Sequence, residues 1–191
     1  MKKLVLGVVV AFALFFVSCN NMITTSIDVD SPFETVTVKG EYTLKVPQGI
    51  TEVVPEDAWY SYEGTDESNA FKVKAETIKQ EGYEKRRKEE GTLDKFPYGL
   101  KGCSDYNFDY YVQREKEAKE TTVVIDTTIN SLPAKVYKFS VNSVMLDMKI
   151  MAAYIEGKDK KIQRVIVGYP VNAVNGDVAA EKIIYSFQST L

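Results

Sequence analysis

The stretch MLDMKIMAAYIEGKDKKIQRVIVGYP, residues 145–170, decides the fold. Its apolar residues predict a long strand over 145–156 and a second strand over 162–169, which ends at Pro170. The five residues between them, 157–161, are glycine and charged residues, which are typical of a turn. Two strands joined by such a short turn run antiparallel. The stretch therefore predicts a long hairpin within an antiparallel sheet.

Further strands and a few helices are predicted outside this hairpin. Alternating apolar residues predict strands around 35–38, 42–46, 59–62, 71–75, 123–127 and 134–141, with turns at Lys39-Gly40 and Asn130-Ser131. Helical spacing predicts helices over 76–90, 105–119 and 177–187. The second of these helices would have Ser104 or Asp105 as its N-cap. Its aromatic part, 106–112, could form a strand instead. Strands that outnumber helices, joined by hairpins, predict an α+β domain with an antiparallel sheet.

The amino-terminal residues have the pattern of an export signal. Lys2 and Lys3 precede an apolar run of 14 residues, 4–17, which is short beside the roughly 20 residues that span a bilayer. Phe16-Val17-Ser18-Cys19 resembles the lipobox of bacterial lipoproteins, although Phe16 stands where that motif has Leu. We therefore expect a signal peptide at 1–18, a lipidated tether at 19–33 with the lipid on Cys19, and one domain at 34–191. An ordinary secretory signal and an uncleaved helix are the alternatives.

A lipid on Cys19 would determine where the protein is found. Each buried methylene contributes about 0.8 kcal/mol, so a single chain holds only marginally and two or three hold firmly. The sequence thus predicts a membrane-anchored protein of the bacterial cell envelope that faces the periplasm or the outside. Asn20, rather than Asp, follows the cysteine, which favours the outer membrane.

Composition excludes several classes of function. The chain has no histidine, so a Ser-His-Asp triad and a zinc site built on imidazole are impossible. Because residues 1–18 hold two lysines and no acidic residue, the net charge of −3 becomes −5 after cleavage, which argues against a nucleic-acid partner. If Cys19 carries a lipid, Cys103 has no internal disulfide partner, and its ordinary interpretation is a buried small side chain. We expect no metal site and no cofactor.

Five segments resemble the PsbP-like superfamily. They are GEYTLKVP at 40–47, INSLPAKVY at 129–137, AAYI at 152–155, IQRVIVGYP at 162–170 and AEKIIYSF at 180–187. Ser131 departs from the pattern, because the family favours Gly there. The resemblance implies an antiparallel sheet sandwiched between helices, an α/β/α arrangement. The family's functions range from stabilising the oxygen-evolving photosystem to binding Ran, so no catalytic residue is carried over.

We expect a non-enzymatic module that binds a protein partner or holds an assembly at the membrane. The candidate interaction surface is the aromatic cluster of the second predicted helix: Tyr106, Phe108, Tyr110 and Tyr111. Aromatic side chains are enriched at interfaces because they bury much area at low entropic cost. The alternative interpretation of the same cluster is packing into the core.

Two other functions compete with this one. A lipoprotein that binds a small ligand or a divalent cation is compatible with the many carboxylates, although no spacing marks a site. A hydrolase with paired carboxylates would use Asp105 and Asp109, or Glu56 and Asp57 beside Trp59. Solvated helix and loop faces explain these pairs more simply. The basic run at 85–88, flanked by glutamates, likewise predicts a solvated helix face.

Overall fold

The computed structural model describes residues 25–114, 121–141 and 146–190, with the side chains of 111–114 left out. Cys19 and the predicted signal peptide lie outside these ranges. The strands are β1 (Glu34–Val38), β2 (Tyr42–Val46), β3 (Thr51–Val53), β4 (Tyr62–Thr65), β5 (Lys72–Ile78), β6 (Val123–Ile129), β7 (Leu132–Val141), β8 (Met148–Glu156), β9 (Ile162–Pro170) and β10 (Gln188–Ser189). The helices are α1 (Gln80–Glu89), α2 (Leu100–Arg114) and α3 (Gly176–Tyr185).

Seven strands form one antiparallel sheet in the order β3-β4-β5-β9-β8-β7-β6. The predicted hairpin of β8 and β9 lies inside this sheet, with Ala153 opposite Val165. A second, smaller sheet has the order β1-β2-β10. The predicted α+β class with an antiparallel sheet is confirmed.

The large sheet has a hydrophobic core on each face. Successive residues of a strand point to opposite faces, so Ala153 and Ile155 lie in one core, and Ala152 and Tyr154 lie in the other. The first core is closed by α3 and the small sheet, and the second is covered by α1 and α2. This is the layered arrangement that the sequence predicted.

The structure corrects the boundaries of several predicted elements. The first predicted helix starts at Gln80 rather than at residue 76, because Glu76 to Ile78 extend β5 by pairing with β9. The second starts at Leu100, so Ser104 and Asp105 lie inside α2 and are not its N-cap. The strand predicted from residue 59 begins at Tyr62, the one predicted from residue 145 begins at Met148, and β3 was not predicted.

The described part of the predicted tether contacts the domain. Ile27 is buried in the first core, and its backbone N–H donates to the carbonyl of Val174. Asn175 Nδ2 donates to the carbonyl of Ile27, and Lys182 Nζ donates to that of Val29. The packed region thus extends to the amino-terminal side of the predicted domain start at residue 34.

None of the helices in the three described ranges is both long and apolar enough to cross a membrane.

Candidate binding cleft

A cleft of about 360 Å³ opens where α1 meets the carboxyl end of β5. The turn between β1 and β2, the loop before β4, α2 and β9 complete its wall. Its charged, aromatic and amide-bearing lining residues are Lys39, Trp59, Glu76, Lys79, Tyr83, Arg86, Arg87, Tyr106, Asn107 and Arg164. We call this feature the basic cleft.

A buried ion pair forms the floor of the basic cleft. Glu76 and Arg164 face each other across β5 and β9, and the guanidinium of Arg164 contacts the carboxylate of Glu76. Arg164 Nη1 also donates to Asn107 Oδ1 at 2.8 Å, and its Nη2 donates to the hydroxyl of Tyr60 at 3.3 Å. Burial raises the pKa of Glu76, an effect that Arg164 opposes. The floor is thus a charged network held rigidly by two strands and a helix.

Arg87 is held against the aromatic wall between α1 and α2. Only 2% of it is exposed, and its Cζ lies 3.2 Å from the centre of the Tyr106 ring. Its Nη2 donates to Glu90 Oε1 at 2.9 Å, and the Tyr106 hydroxyl donates to Glu90 Oε2 at 3.2 Å. Burial lowers the pKa of Arg87. The expectation of a solvated helix face over 85–88 is therefore wrong for Arg87, because the rings of another helix cover it.

An aromatic residue and a cation form the rim of the basic cleft. Trp59 is 59% exposed, and the Cζ of Arg86 lies 3.8 Å from its ring centre. This separation is well inside the range in which a guanidinium is attracted to an aromatic face. Lys39 and Lys79 lie on the same cleft wall. The rim thus offers an exposed indole next to several positive charges.

The basic cleft is strongly positive on an acidic protein. Its lining contains five basic residues and one acidic residue, Glu76, whereas the whole chain has a net charge of −3. A concave site lined by one sign of charge concentrates ligands of the opposite sign. The arrangement can therefore hold an anion, and the aromatic walls can hold an apolar group beside it.

The four predicted interaction residues lie in different places. Tyr106 lines the basic cleft, whereas Phe108 stacks on Tyr137 at 4.8 Å under the sheet. Tyr110 is 41% exposed, and the side chain of Tyr111 lies outside the described part of the chain. Positions 106 and 108 cannot share one face of a helix, since successive residues turn by about 100°. Their role as one interaction surface stays a prediction.

The predicted carboxylate pairs are each bound to lysines. Asp105 contacts Lys101 and accepts hydrogen bonds from Lys135 at 2.8 Å and from the Tyr137 hydroxyl at 3.0 Å. Although burial works in the opposite direction, these donors lower the pKa of Asp105.

Two other carboxylates of the hydrolase hypothesis, those of Asp109 and Glu56, also form ion pairs. Asp109 lies 3.3 Å from Lys95 Nζ. Glu56 lies 3.6 Å from Lys72 Nζ and 3.7 Å from Lys74 Nζ.

Cys103 is a free thiol buried in the second core. Burial raises its pKa to about 11, which leaves it almost entirely protonated near neutral pH. Within residues 25–114, 121–141 and 146–190, no cluster of three acidic or cysteine side chains could hold a metal ion.

Sequence reasoning did not find most of the basic cleft. It placed Trp59 in a strand and Glu76 in a helix, and it did not consider Arg164 as a site residue. These residues come together only because β5 pairs with β9 and α2 folds over α1. The available signals were the single tryptophan and the basic run beside tyrosine-rich segments, and neither of them specifies a contact.

No family model and no curated protein sequence matches the chain. Among solved structures, the cyanobacterial PsbP protein of Synechocystis is similar with a TM-score of 0.56 and 9% identity, over 83% of this chain and 92% of that one. A protein from Bacteroides thetaiotaomicron has a TM-score of 0.48 and 8% identity, over 83% of this chain. This chain spans about half of that protein, 49% of its length. The likeness to cyanobacterial PsbP supports a PsbP-like fold, and at such identity it concerns the fold alone.

Proposed function

We propose that the protein is a non-enzymatic binding module, anchored by a lipid on Cys19 in the bacterial cell envelope, and that it binds a protein partner through the basic cleft. The observation that carries this proposal is the exposed stack of Trp59 and Arg86 at the mouth of a positively charged cleft. Tryptophan and arginine are the residues most often found at the energetic centres of interfaces. The outer membrane is the favoured location.

The proposed anchor would hold the domain close to the membrane. Thr25 is buried, and its carbonyl accepts a hydrogen bond from the N–H of Val174. Only six residue steps separate Thr25 from Cys19, and a fully extended chain spans about 3.5 Å per step, or roughly 20 Å in all. The domain would then reach partners at the membrane surface rather than at a distance from it.

A binding role rather than catalysis is supported by the chemistry of the cleft. Its one carboxylate, Glu76, already contacts Arg164, and the chain contains no histidine. General acid–base chemistry near neutral pH needs a group that exchanges protons there. The other charged and aromatic side chains of the cleft are cations and aromatic rings, which bind and position a ligand.

The anchor is tested by fractionation and mass spectrometry of the protein expressed in a bacterium that acylates lipoproteins. The wild type is expected in the membrane fraction with an acylated Cys19 at its amino terminus. The Cys19→Ala variant is expected to lose the acyl groups. An unmodified wild-type protein in the cytosol would refute the anchor.

The binding role is tested by crosslinking and pull-down from the organism's own envelope. Trp59→Ala is the test variant, and Val54→Ala is the matched control, because Val54 is 89% exposed and does not line the cleft. We expect one partner to be retained by the wild type and by the control and lost with Trp59→Ala. Equal retention by both variants would show that the partner does not use the cleft.

A small-ligand module is the second candidate, and the size of the basic cleft favours it. A volume of about 360 Å³ lies at the lower end of the range for small-molecule sites. A divalent cation is a poor fit to this site, because five of the lining side chains are basic. The protein-binding module and the small-ligand module would use the same cleft. They differ in whether the bound group belongs to a protein partner or to a free small molecule.

A further inference from the structure

We propose that the basic cleft binds an anionic group, a carboxylate or a phosphate, attached to a planar apolar body. The inference rests on the proposed function in one respect only, since it takes the same cleft as the binding site. It adds the chemical class of what is bound.

The basic cleft has positive charge that no acidic side chain of the described ranges compensates. Lys39, Lys79 and Arg86 line the cleft, and none of them forms an ion pair with a residue of the described ranges. The single carboxylate of the lining, Glu76, is taken by Arg164. The cleft therefore keeps an excess of positive charge that an incoming anion can neutralise.

The basic cleft also contains buried arginine donors that lack acceptors in the described part of the chain. Arg87 is 2% exposed and Arg164 is 8% exposed, and both line the cleft. Among the residues that the structure describes, Arg87 Nε and Arg87 Nη1 have no hydrogen-bond partner. A buried donor without an acceptor costs about 1–3 kcal/mol, and more when the group is charged. The negative charge of an anion in the cleft would lower this cost.

Preorganisation of the guanidinium groups favours binding. The guanidinium of Arg87 is fixed by the ring of Tyr106 on one side and by Glu90 at Nη2. Arg86 is likewise stacked on Trp59. Little side-chain entropy remains to be lost when a ligand binds, so more of the electrostatic attraction appears as affinity. Planar guanidinium groups also match the geometry of carboxylate and phosphate oxygens.

The aromatic residues of the cleft wall indicate that the ligand also has a planar apolar part. Trp59, Tyr83 and Tyr106 contribute rings to the lining. A volume of about 360 Å³ admits a small molecule or a single side chain with its neighbours, and excludes a folded domain. The anionic group therefore belongs either to a free small molecule or to an acidic and aromatic segment of a protein partner.

Trp59 is the only tryptophan of the chain, so its fluorescence reports directly on the rim of the cleft. The purified full-length protein in mild detergent is titrated with phenyl phosphate, inorganic phosphate and benzyl alcohol. We expect a saturable change with phenyl phosphate, a weaker response to inorganic phosphate, and none at the same concentrations of benzyl alcohol. Added salt should weaken the binding of phenyl phosphate, because ions screen the attraction.

A matched pair of variants assigns the binding to the cleft. Arg86→Gln removes a charge from the rim, whereas Lys85→Gln removes the same charge from the neighbouring exposed position, which does not line the cleft. We expect Arg86→Gln to weaken the binding of phenyl phosphate by about tenfold and Lys85→Gln to change it by less than about twofold. Because Arg86→Gln also alters the surroundings of Trp59, the rise in melting temperature with ligand serves as a second measure of affinity.

Two outcomes would overturn the inference. One is the absence of a saturable response to phenyl phosphate in both readouts of the wild type. The other is an equal loss of affinity in Arg86→Gln and Lys85→Gln, which would indicate nonspecific attraction to the charged helix.

A peptide pair distinguishes the two sources of the anion. Acetyl-Phe-Asp-amide and its neutral analogue acetyl-Phe-Asn-amide compete against phenyl phosphate. If the aspartyl peptide competes and the neutral peptide does not, the inference is supported and the anion belongs to a protein segment. If phenyl phosphate binds and neither peptide competes, the inference is supported and the anion is a free small molecule. If phenyl phosphate binds but the pull-down retains no partner, the proposal of a protein partner is refuted, whereas the proposal that the cleft binds an aromatic anion is supported.

Discussion

Arg164 on β9 lies directly opposite Glu76 on β5, and each side chain of this ion pair is only 10% exposed. The register of two strands thus fixes two opposite charges at the floor of the basic cleft. A buried pair adds little net stability over a well-packed apolar pair, but the removal of one partner leaves an uncompensated charge in a low-dielectric site. The pair is therefore sensitive to single substitutions.

Glu76→Gln is expected to lower the free energy of unfolding by about 3–5 kcal/mol, because Arg164 then stays charged and buried without its carboxylate. Urea denaturation followed by circular dichroism measures the change. Glu67→Gln is the control, since Glu67 is exposed on a loop, and it should change stability by less than about 0.5 kcal/mol. Similar midpoints for the two variants would contradict the burial of this pair.

Gly102→Ala tests how closely α2 approaches the loop before it. A Cβ built on Gly102 would lie 1.7 Å from the carbonyl oxygen of Pro97, and backbone cannot swing away as a side chain can. We expect a loss of about 2–3 kcal/mol or more, from overpacking. Thermal or urea unfolding measures it.

Gly82→Ala is the matched comparison for Gly102→Ala. It lies inside α1, and a Cβ at that position meets nothing within 4 Å. Alanine there should stabilise the helix by up to about 1 kcal/mol, because glycine is the weaker helix former. Two substitutions of the same kind should thus change stability in opposite directions, and a stabilising Gly102→Ala would refute the close approach.

The β8–β9 hairpin of the large sheet was predictable because its signal is local. The apolar residues of 145–156 and 162–169 identify the two strands, and the short turn between them sets the pairing. The hairpin of β1 and β2 was predictable for the same reason, since Val36 and Leu44 alternate with polar residues on either side of a turn, whereas β10 and the separation of a small sheet were not predicted. Such patterns need no knowledge of distant segments.

The basic cleft was not predictable because it depends on distant contacts. Glu76 follows a short apolar strand and precedes a polar helix, and only its pairing with Arg164 keeps it in β5. Arg87 lies in a run of charges that is typical of a solvated face, and the ring of Tyr106 from α2 buries it. A single sequence contains no record of either contact, so tertiary structure decides both positions.

Cys103 is expected to be unreactive in the folded protein. It is fully buried, and burial raises its pKa to about 11, so on the order of 0.1% is thiolate at pH 8. In the Cys19→Ala variant, where Cys103 is the only cysteine, reaction with a chromogenic disulfide should be at least about 100-fold slower in the native state than in urea. Equal rates in the two states would show that the thiol is accessible.

Asp105→Asn is expected to destabilise the protein in a pH-dependent manner. The carboxylate of Asp105 accepts hydrogen bonds from Lys135 and Tyr137, and its pKa is lowered in the folded state. A group with a lowered pKa contributes stability above its unfolded value of about 4, and this contribution is lost as the pH falls through the folded value. The variant should therefore be less stable than the wild type by about 2 kcal/mol at pH 7.

The difference between wild type and Asp105→Asn should shrink as the pH falls below about 4, because the wild-type carboxyl then takes up a proton as well. Urea denaturation at several pH values between about 2 and 7 gives the profile. Asp94→Asn is the control, since Asp94 is exposed, and its profile should follow that of the wild type. A gap for Asp105→Asn that stays constant down to pH 2 would mean that the hydrogen bonds from Lys135 and Tyr137 do not depend on the charge of Asp105.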